Sequence, residues 1–352
     1  MKIVTVVGAR PQFIKAAPVS REFNRAGIKE ILVHTGQHFD ENMSDIFFNQ
    51  MNIPEPDYFL DINSLNHGAM TGRMIEKIEE ILINEKPDYL LVYGDTNSTL
   101  AGALAASKLH IKIIHVEAGL RSFNMAMPEE INRIVADRLS YFLFCPTDTA
   151  IQNLKREGFD NLNCRIIKNG DVMQDAALMF EQYEKKIDIN IPEDFILCTI
   201  HRQENTDNEQ NLKSIFNALQ VISEKTKIIL PLHPRTQKKL TEYNLKNSSN
   251  IIIIPPVGYL NMLYLLKRCS LVMTDSGGLQ KEAFFFHKLC VTLREETEWT
   301  ELLENKFNFL VGCNSEKIIE TYNNLQSVDT DFNINLYGNG TASKIIAEEI
   351  LK

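Results

Sequence analysis

The chain reads as an α/β protein made of two doubly wound halves, and three features of the sequence predict this. Short apolar, β-branched runs alternate with amphipathic segments along the whole length. The pattern pauses after about residue 165 and then restarts. Several runs end in Gly, Asp or Ser and pass at once into helix-forming sequence, as strand-to-helix turns do. At 352 residues two domains fit better than one, since single cores seldom grow past about 250 residues.

In the first half, residues 3–7, 31–34, 89–93, 111–115 and 142–145 are apolar runs bounded by turn residues, which predicts buried strands of a parallel sheet. Between them, 11–26, 69–84, 98–109 and 129–140 repeat apolar residues at helical spacing. In the second half, strands are predicted at 195–200, 227–232, 251–254, 271–273 and 290–293, with helices at 210–224, 259–269 and 278–286. The halves are expected to meet within 167–171, giving domains 1–167 and 168–339. The closing segment 340–352 reads as a capped helix that returns to the first domain. Two such halves facing each other would form a cleft lined by the loops that follow strands, where open α/β sheets hold ligands.

Composition narrows the function. Hydrophobic residues make up 44% and charged residues 24%, an ordinary soluble balance. A net charge of −9 argues against a general nucleic-acid or anionic-membrane surface. No apolar run approaches the roughly 20 residues of a membrane span. The N-terminus enters a strand without a signal-peptide pattern. Six cysteines are scattered without a CxxC pair, so they read as thiols in a reducing cytoplasm and indicate no metal site.

The polar residues that follow strands are the candidates for chemistry. Arg10 and Lys15 lie near a predicted helix start, where the dipole does not favour cations; an anion between them would explain both, as would plain solvation. Asp95 follows the run 89–93 and alone reads as a helix cap. Glu117 ends a buried run, a costly place for a carboxylate unless it is paired or used. Glu129 sits in a first helical turn behind Pro128, where the dipole also suits it. His201 and Arg202 end a strand of the second half and suit anion binding or proton transfer; His233 is similarly placed. Most informative is Thr274-Asp275-Ser276-Gly277-Gly278, a strand end, a tight turn and a helix start whose free N–H groups suit a phosphate. Ser276 reads as the cap, and Glu282 could accept hydrogen bonds from a ribose diol. GxGxxG after the first strand and GxxxxGK[ST] are both absent, so neither a dinucleotide cofactor nor a P-loop is indicated.

At these residues the chain resembles the non-hydrolysing UDP-N-acetylglucosamine 2-epimerase family. The matching blocks are 8–15 (GARPQFIK), 94–99 (GDTNST), 115–121 (HVEAGLR), 128–133 (PEEINR), 201–205 (HRQEN), 274–282 (TDSGGLQKE) and 294–299 (REETEW), in family order over nearly the whole chain. The resemblance implies a GT-B fold of two Rossmann-like domains. It also implies C2 epimerisation of UDP-GlcNAc to UDP-ManNAc, without NAD, for surface-polysaccharide precursors. UDP would leave as the C2 proton is removed, giving 2-acetamidoglucal, and would add back as a proton returns to the opposite face. Carried over by motif, Asp95, Glu117 and Glu129 are the acid–base candidates, and His201 serves the phosphates or a proton. Arg10 and Lys15 would hold the diphosphate. Ser276, Gly277 and Gly278 would bind phosphate oxygens and Glu282 the ribose, with Arg133, Arg202 and Arg294 as further substrate contacts. At least one carboxylate is expected to titrate above its ordinary range. A cytoplasmic homodimer with a UDP-sugar substrate is implied as well.

Some positions depart from the family pattern. Ala9 and Gln12 replace a common Thr and Glu, Met262 stands where an aromatic often lies near the uracil, and Trp299 replaces a common Arg. In 35–40 (TGQHFD), which in bacterial members holds a second UDP-GlcNAc as activator, Asp40 replaces a frequent Gln and argues against that activation. Together these changes resemble the branch acting on UDP-2,3-diacetamido-2,3-dideoxyglucuronic acid. Its C6 carboxylate calls for a cation, which Arg121 or Arg202 could supply. A hydrolysing epimerase and a GT-B glycosyltransferase are the enzyme alternatives. A nucleotide-sugar sensor is the non-catalytic one, and it would tolerate loss of Asp95 and Glu117, which are both present.

Overall fold

The structure is a computed structural model that describes residues 1–37, 55–245, 248–325 and 330–352, and of Arg10 the backbone alone. Asp40, singled out above, lies outside the described residues. Seven strands build the first sheet: β1 (Lys2–Val7), β2 (Lys29–His34), β3 (Tyr58–Phe59), β4 (Tyr89–Tyr93), β5 (Lys112–Val116), β6 (Phe142–Cys145) and β7 (Arg165–Lys168). They pair in parallel in the order β3-β2-β1-β4-β5-β6-β7. The second sheet comprises β8 (Phe195–Thr199), β9 (Lys227–Pro231), β10 (Ile251–Ile254), β11 (Leu271–Thr274), β12 (Cys290–Thr292) and β13 (Asn308–Leu310). Its order is β10-β9-β8-β11-β12-β13, again parallel.

The strand sequences explain this form. Val6 of β1 lies between Val33 and Val92, and Ile3, Val4, Val6 and Val7 are all buried, as a sheet covered on both faces requires. Small residues let the helix Asn97–Lys108 approach closely: a Cβ on Gly102 would lie 3.0 Å from Val92 Cγ1. In each sheet the strand order reverses once, between β1 and β4 and between β8 and β11. Such switch points open a crevice at the carboxyl ends of the strands. The loops beginning at Gly8 and Gly94 flank the first, and those beginning at Ile200 and Asp275 flank the second.

The division of the chain differs from the expected 1–167 and 168–339. Contacts separate one unit of Met1–Met179 with Asn335–Lys352 from another of Phe180–Ile334. The border moves because 165–168, read as the approach to a hinge, is instead β7, pairing with β6 from Phe142↔Arg165 to Cys145↔Lys168. The next turn is also tied to the first unit, since Asp171 N–H donates to Tyr337 O at 2.7 Å. The last helix, Ala342–Leu351, packs on Arg10–Arg25. It takes its N-terminal cap from a distant residue: the Asp175 carboxylate accepts from the N–H groups of Ala342 and Ser343 at 3.1 and 2.7 Å. β3, β7 and β13 escaped the sequence reading because each is short or edged by polar residues.

Candidate functional site

In the first unit the strand-end carboxylates occupy a ring of charges. Asp95 follows β4 and is paired with the Arg133 guanidinium, which also donates to Glu130 at 2.6 Å. About a third of the Asp95 side chain meets solvent, yet burial raises its carboxyl above the ordinary value, with Arg133 opposing and Glu117 adding to the rise. Glu117 follows β5 in a left-handed conformation, φ 71°, is buried, and is paired with Lys15. Glycine is needed at 94, where φ is +60° and a Cβ would sit 3.3 Å from Glu117 Oε2 and 3.8 Å from Lys15 Nζ. Lys15, expected on a diphosphate, pairs with Glu117 in this structure. Glu129 lies exposed in the first turn of the helix Pro128–Leu139.

Two groups that the sequence reading passed over organise this unit. Glu130, 1% exposed, accepts from the N–H groups of Ser122 and Phe123 at 2.9 and 3.0 Å and so closes the loop before its own helix. Burial pushes its carboxyl up, but these bonds and Arg133 together bring it below the ordinary value. Asp137, fully buried, joins His115 and Arg121 at 2.7 Å each. Burial is the largest influence on Asp137 too, and is outweighed by His115 and Arg121, which hold the carboxyl low. Arg121 therefore cannot serve a sugar carboxylate as expected. Its Nε and Nη2 form a bidentate pair with Glu157 at 2.7 Å, and Nη1 donates to Leu120 O and Asp137.

In the second unit the strand ends present donors. Asp275, read only as part of a turn, is fully buried and organises them. It accepts from the N–H of His201 (3.0 Å), the N–H of Arg202 (3.0 Å) and Asn205 Nδ2 (3.0 Å), while His201 Nδ1 lies 3.1 Å away. Burial raises the Asp275 carboxyl, but His201 and these donors leave it below its usual value. The His201 ring remains 56% exposed and is oriented by this contact. Arg202 has no side-chain partner among the described residues. Ser276 Oγ caps the helix Gly277–Phe285 from 3.5 Å. A Cβ on Gly277 would meet Glu298 Oε1 at 2.7 Å, whereas one on Gly278 would meet nothing.

Trp299 has a place here that its sequence position did not disclose: its indole N–H donates to Gly277 O at 3.0 Å, and Lys281 Nζ lies 3.9 Å above its ring. Arg294 is buried and pairs with Glu298 at 3.1 Å, while its Nε lacks a hydrogen-bond partner among the described residues. Glu282 is buried about a turn and a half into the helix. Met262 is partly buried against the apolar core under β8 and β11. His233 is a helix cap, its Nδ1 accepting from Arg235 N–H at 3.2 Å. Among the described residues no group of His, Cys, Asp and Glu could hold a metal ion, and the six cysteines are free.

Two parallel doubly wound sheets with chemistry at their switch points define a GT-B-type protein. Acinetobacter baumannii MurG shares this fold at a TM-score of 0.57 and 10% identity, over 99% of this chain and 98% of that one. The sequence model of the UDP-N-acetylglucosamine 2-epimerase family matches residues 21–351. The chain is 54% identical over 355 residues to the UDP-2,3-diacetamido-2,3-dideoxy-D-glucuronate 2-epimerase of Pseudomonas aeruginosa, covering 100% of both. It is similar to the crystal structure of Methanocaldococcus jannaschii UDP-GlcNAc 2-epimerase in complex with UDP-GlcNAc and UDP, with a TM-score of 0.90, 43% identity and coverage of 100% and 99%. The chain belongs to the UDP-N-acetylglucosamine 2-epimerase family and is an isomerase.

Proposed function

We propose that this enzyme inverts C2 of a UDP-2-acetamido sugar by losing and regaining UDP. A carboxylate takes the C2 proton, the C1–O bond to UDP breaks with its electron pair leaving on the phosphate, and C1=C2 forms. UDP then returns to C1 while a second group delivers a proton to C2 from the other face. The net reaction moves no electrons, so no redox cofactor is called for. The observation that carries this reading is the division of groups between the two switch points: Asp95 and Glu117 at the first, and the Ser276–Gly278 helix start with His201 and Arg202 at the second. Asp95, with its raised carboxyl, suits proton delivery, and Glu117 suits proton removal. Glu129 is exposed and open to a substrate. The second unit's N–H groups and cations are assigned to the diphosphate, Glu282 to the ribose, and Arg10 and Lys15 to the leaving group.

UDP-GlcNAc is the simplest substrate of this class. A 3-acetamido, 6-carboxylate relative is favoured by the 54% identity to the Pseudomonas aeruginosa enzyme and by Arg202, whose side chain has no partner among the described residues. Incubation of the enzyme with each sugar in D2O, followed by NMR at C2, is the test. Deuterium at C2 and a second UDP-sugar are expected with at least one; free ManNAc would indicate hydrolysis, and no exchange with either would overturn the reading. A cytoplasmic homodimer belongs to the same proposal. The net charge of −9, and the absence among the described residues of a helix long and apolar enough to cross a membrane, are compatible with that location. Light scattering at working concentration checks the dimer, and a mass of one chain would refute it.

A further inference from the structure

Asp95 stands at the end of three consecutive backbone carbonyls, each held by a buried side chain from a different element. Gln12, on the helix Arg10–Arg25, donates from Nε2 to Tyr93 O at 2.7 Å, and its Oε1 accepts from the N–H groups of Gly8 and Ala9 at 2.9 and 3.1 Å. His115, on β5, donates from Nε2 to Gly94 O at 2.7 Å, and its Nδ1 lies 2.7 Å from Asp137 Oδ1. Asn132, on the helix Pro128–Leu139, donates from Nδ2 to Asp95 O at 2.9 Å. Gln12 is 2% exposed, His115 0% and Asn132 5%. Capping of the following helix explains Thr96 and the bonds between Thr96 and Thr99, because caps satisfy N–H groups; the buried Thr99 Oγ1 also donates to Tyr93 O at 2.6 Å, from within that helix. Capping does not explain three buried donors spent on the carbonyls that precede the helix, which a surface turn leaves to water.

We propose that Gln12, His115 and Asn132 are positioning residues that hold the Tyr93–Asp95 turn in one conformation, so that the Asp95 carboxyl meets the sugar at a fixed place. This rests on the reading of Asp95 as an acid–base group. The three donors reach the turn from three sides, and the Gly94 N–H fixes a fourth point by donating to Val116 O at 3.0 Å. His115 extends the arrangement further. Through Asp137, which also accepts from Gly119 N–H at 3.1 Å, it ties the turn that carries Asp95 to the turn that carries Glu117. The charged groups facing the Asp95 carboxyl are Arg133, Glu117 and Lys15, and none of the three is altered by changing Gln12 or Asn132.

Asn132→Leu and Gln12→Met remove these donors at nearly constant volume and add no charge, and Gln12→Met also takes away the acceptor of the Gly8 and Ala9 N–H groups. Two measurements apply to each variant: steady-state epimerisation, and titration of the Asp95 carboxyl by 13C NMR without substrate. A loosened turn should lower kcat roughly 10- to 100-fold while KM shifts by no more than about twofold. The Asp95 titration should move from its raised position toward the ordinary carboxylate value as water reaches the group. A kcat equal to wild type, or an Asp95 titration that stays in place in both folded variants, overturns the proposal. If one variant fails to fold, the other gives the same reading. Because the titration uses no substrate, a wild-type enzyme that fails to exchange C2 would refute the epimerase reading alone, while the titration still decides the role of these residues.

Discussion

The two units carry the same topology but manage charge at their strand ends in opposite ways. In the first, anions and cations are matched within the protein: Glu117 with Lys15, Asp95 and Glu130 with Arg133, Asp137 with His115 and Arg121, and Glu157 with Arg121. In the second, the buried carboxylate Asp275 is satisfied largely by backbone N–H groups, and Arg202 and the exposed His201 ring remain on the outside of that knot. A unit that must hold carboxylates at set places in a partly dry site compensates them internally. On the proposed reading the second unit receives a diphosphate, and it leaves donors for it. One doubly wound frame thus carries matched charges or open donors at its strand ends according to its turn residues.

That contrast can be broken or sharpened by experiment. Asp95→Asn acts on the chemistry alone and should lower turnover by about 10²- to 10⁴-fold, with UDP affinity by calorimetry unchanged. Activity equal to wild type would remove Asp95 from the proton-transfer role. Arg202→Ala tests the anion-binding side. It should raise KM about 10- to 100-fold for the 6-carboxylate sugar, the cost of a lost charge-assisted bond, and much less for UDP-GlcNAc. Equal losses with both sugars would place Arg202 on the diphosphate instead.

Gly277→Ala puts a methyl 2.7 Å from Glu298 Oε1 and pushes that carboxylate away from the turn and from its partner Arg294, so UDP binding should weaken by up to roughly tenfold while the first unit's pairings are untouched. Calorimetry with UDP decides this; unaltered affinity would detach the turn from the phosphate.

The smallest expected effect concerns pH. Glu30 on β2 accepts from Thr5 Oγ1 at 2.5 Å, and burial raises its carboxyl above the ordinary value despite the hydrogen bonds from Ser20 and Thr5. The folded protein therefore binds a proton that the unfolded chain has released. Its contribution to stability is present below the ordinary carboxylate value and is lost as pH rises through the folded value. Asp137 and Asp275 have the opposite sign: their contribution is present above the ordinary value and lost as pH falls through their lowered one. Glu30→Gln should flatten the decline on the higher-pH side of this window and leave the acid limb, set by Asp137 and Asp275, in place. Melting temperature against pH measures both, and a Glu30→Gln profile that parallels wild type throughout would refute the assignment.

The turn 274–278 and the carboxylates Asp95 and Glu117 could be read from the chain because each follows an apolar run, and such runs announce strands. Glu130 could have been found the same way, since it is the second acid behind Pro128, but helical dipole arguments do not separate it from Glu129. The structure does: one is buried and clamps a loop, the other faces solvent. Trp299 was visible only as an unusual residue, and Asp275 only as a turn former. β7 was missed because its residues are half-buried and begin and end in Arg165 and Lys168, so it lacks the apolar run of a central strand.

Local sequence was enough for the alternation of strands and helices, the parallel sheets and the identity of the turn residues. Side-chain period and turn chemistry act over a few neighbours, and those neighbours are always present. Which residues meet was decided by the order of strands in the sheet. Lys15 reaches Glu117 across 102 positions, and Gln12 reaches Tyr93 across 81, because β1 lies beside β4 and β4 beside β5. The pairing of Lys15 with Glu117 follows from that adjacency. Pairing energies of this kind depend on distance through space, and no local pattern along a chain encodes them.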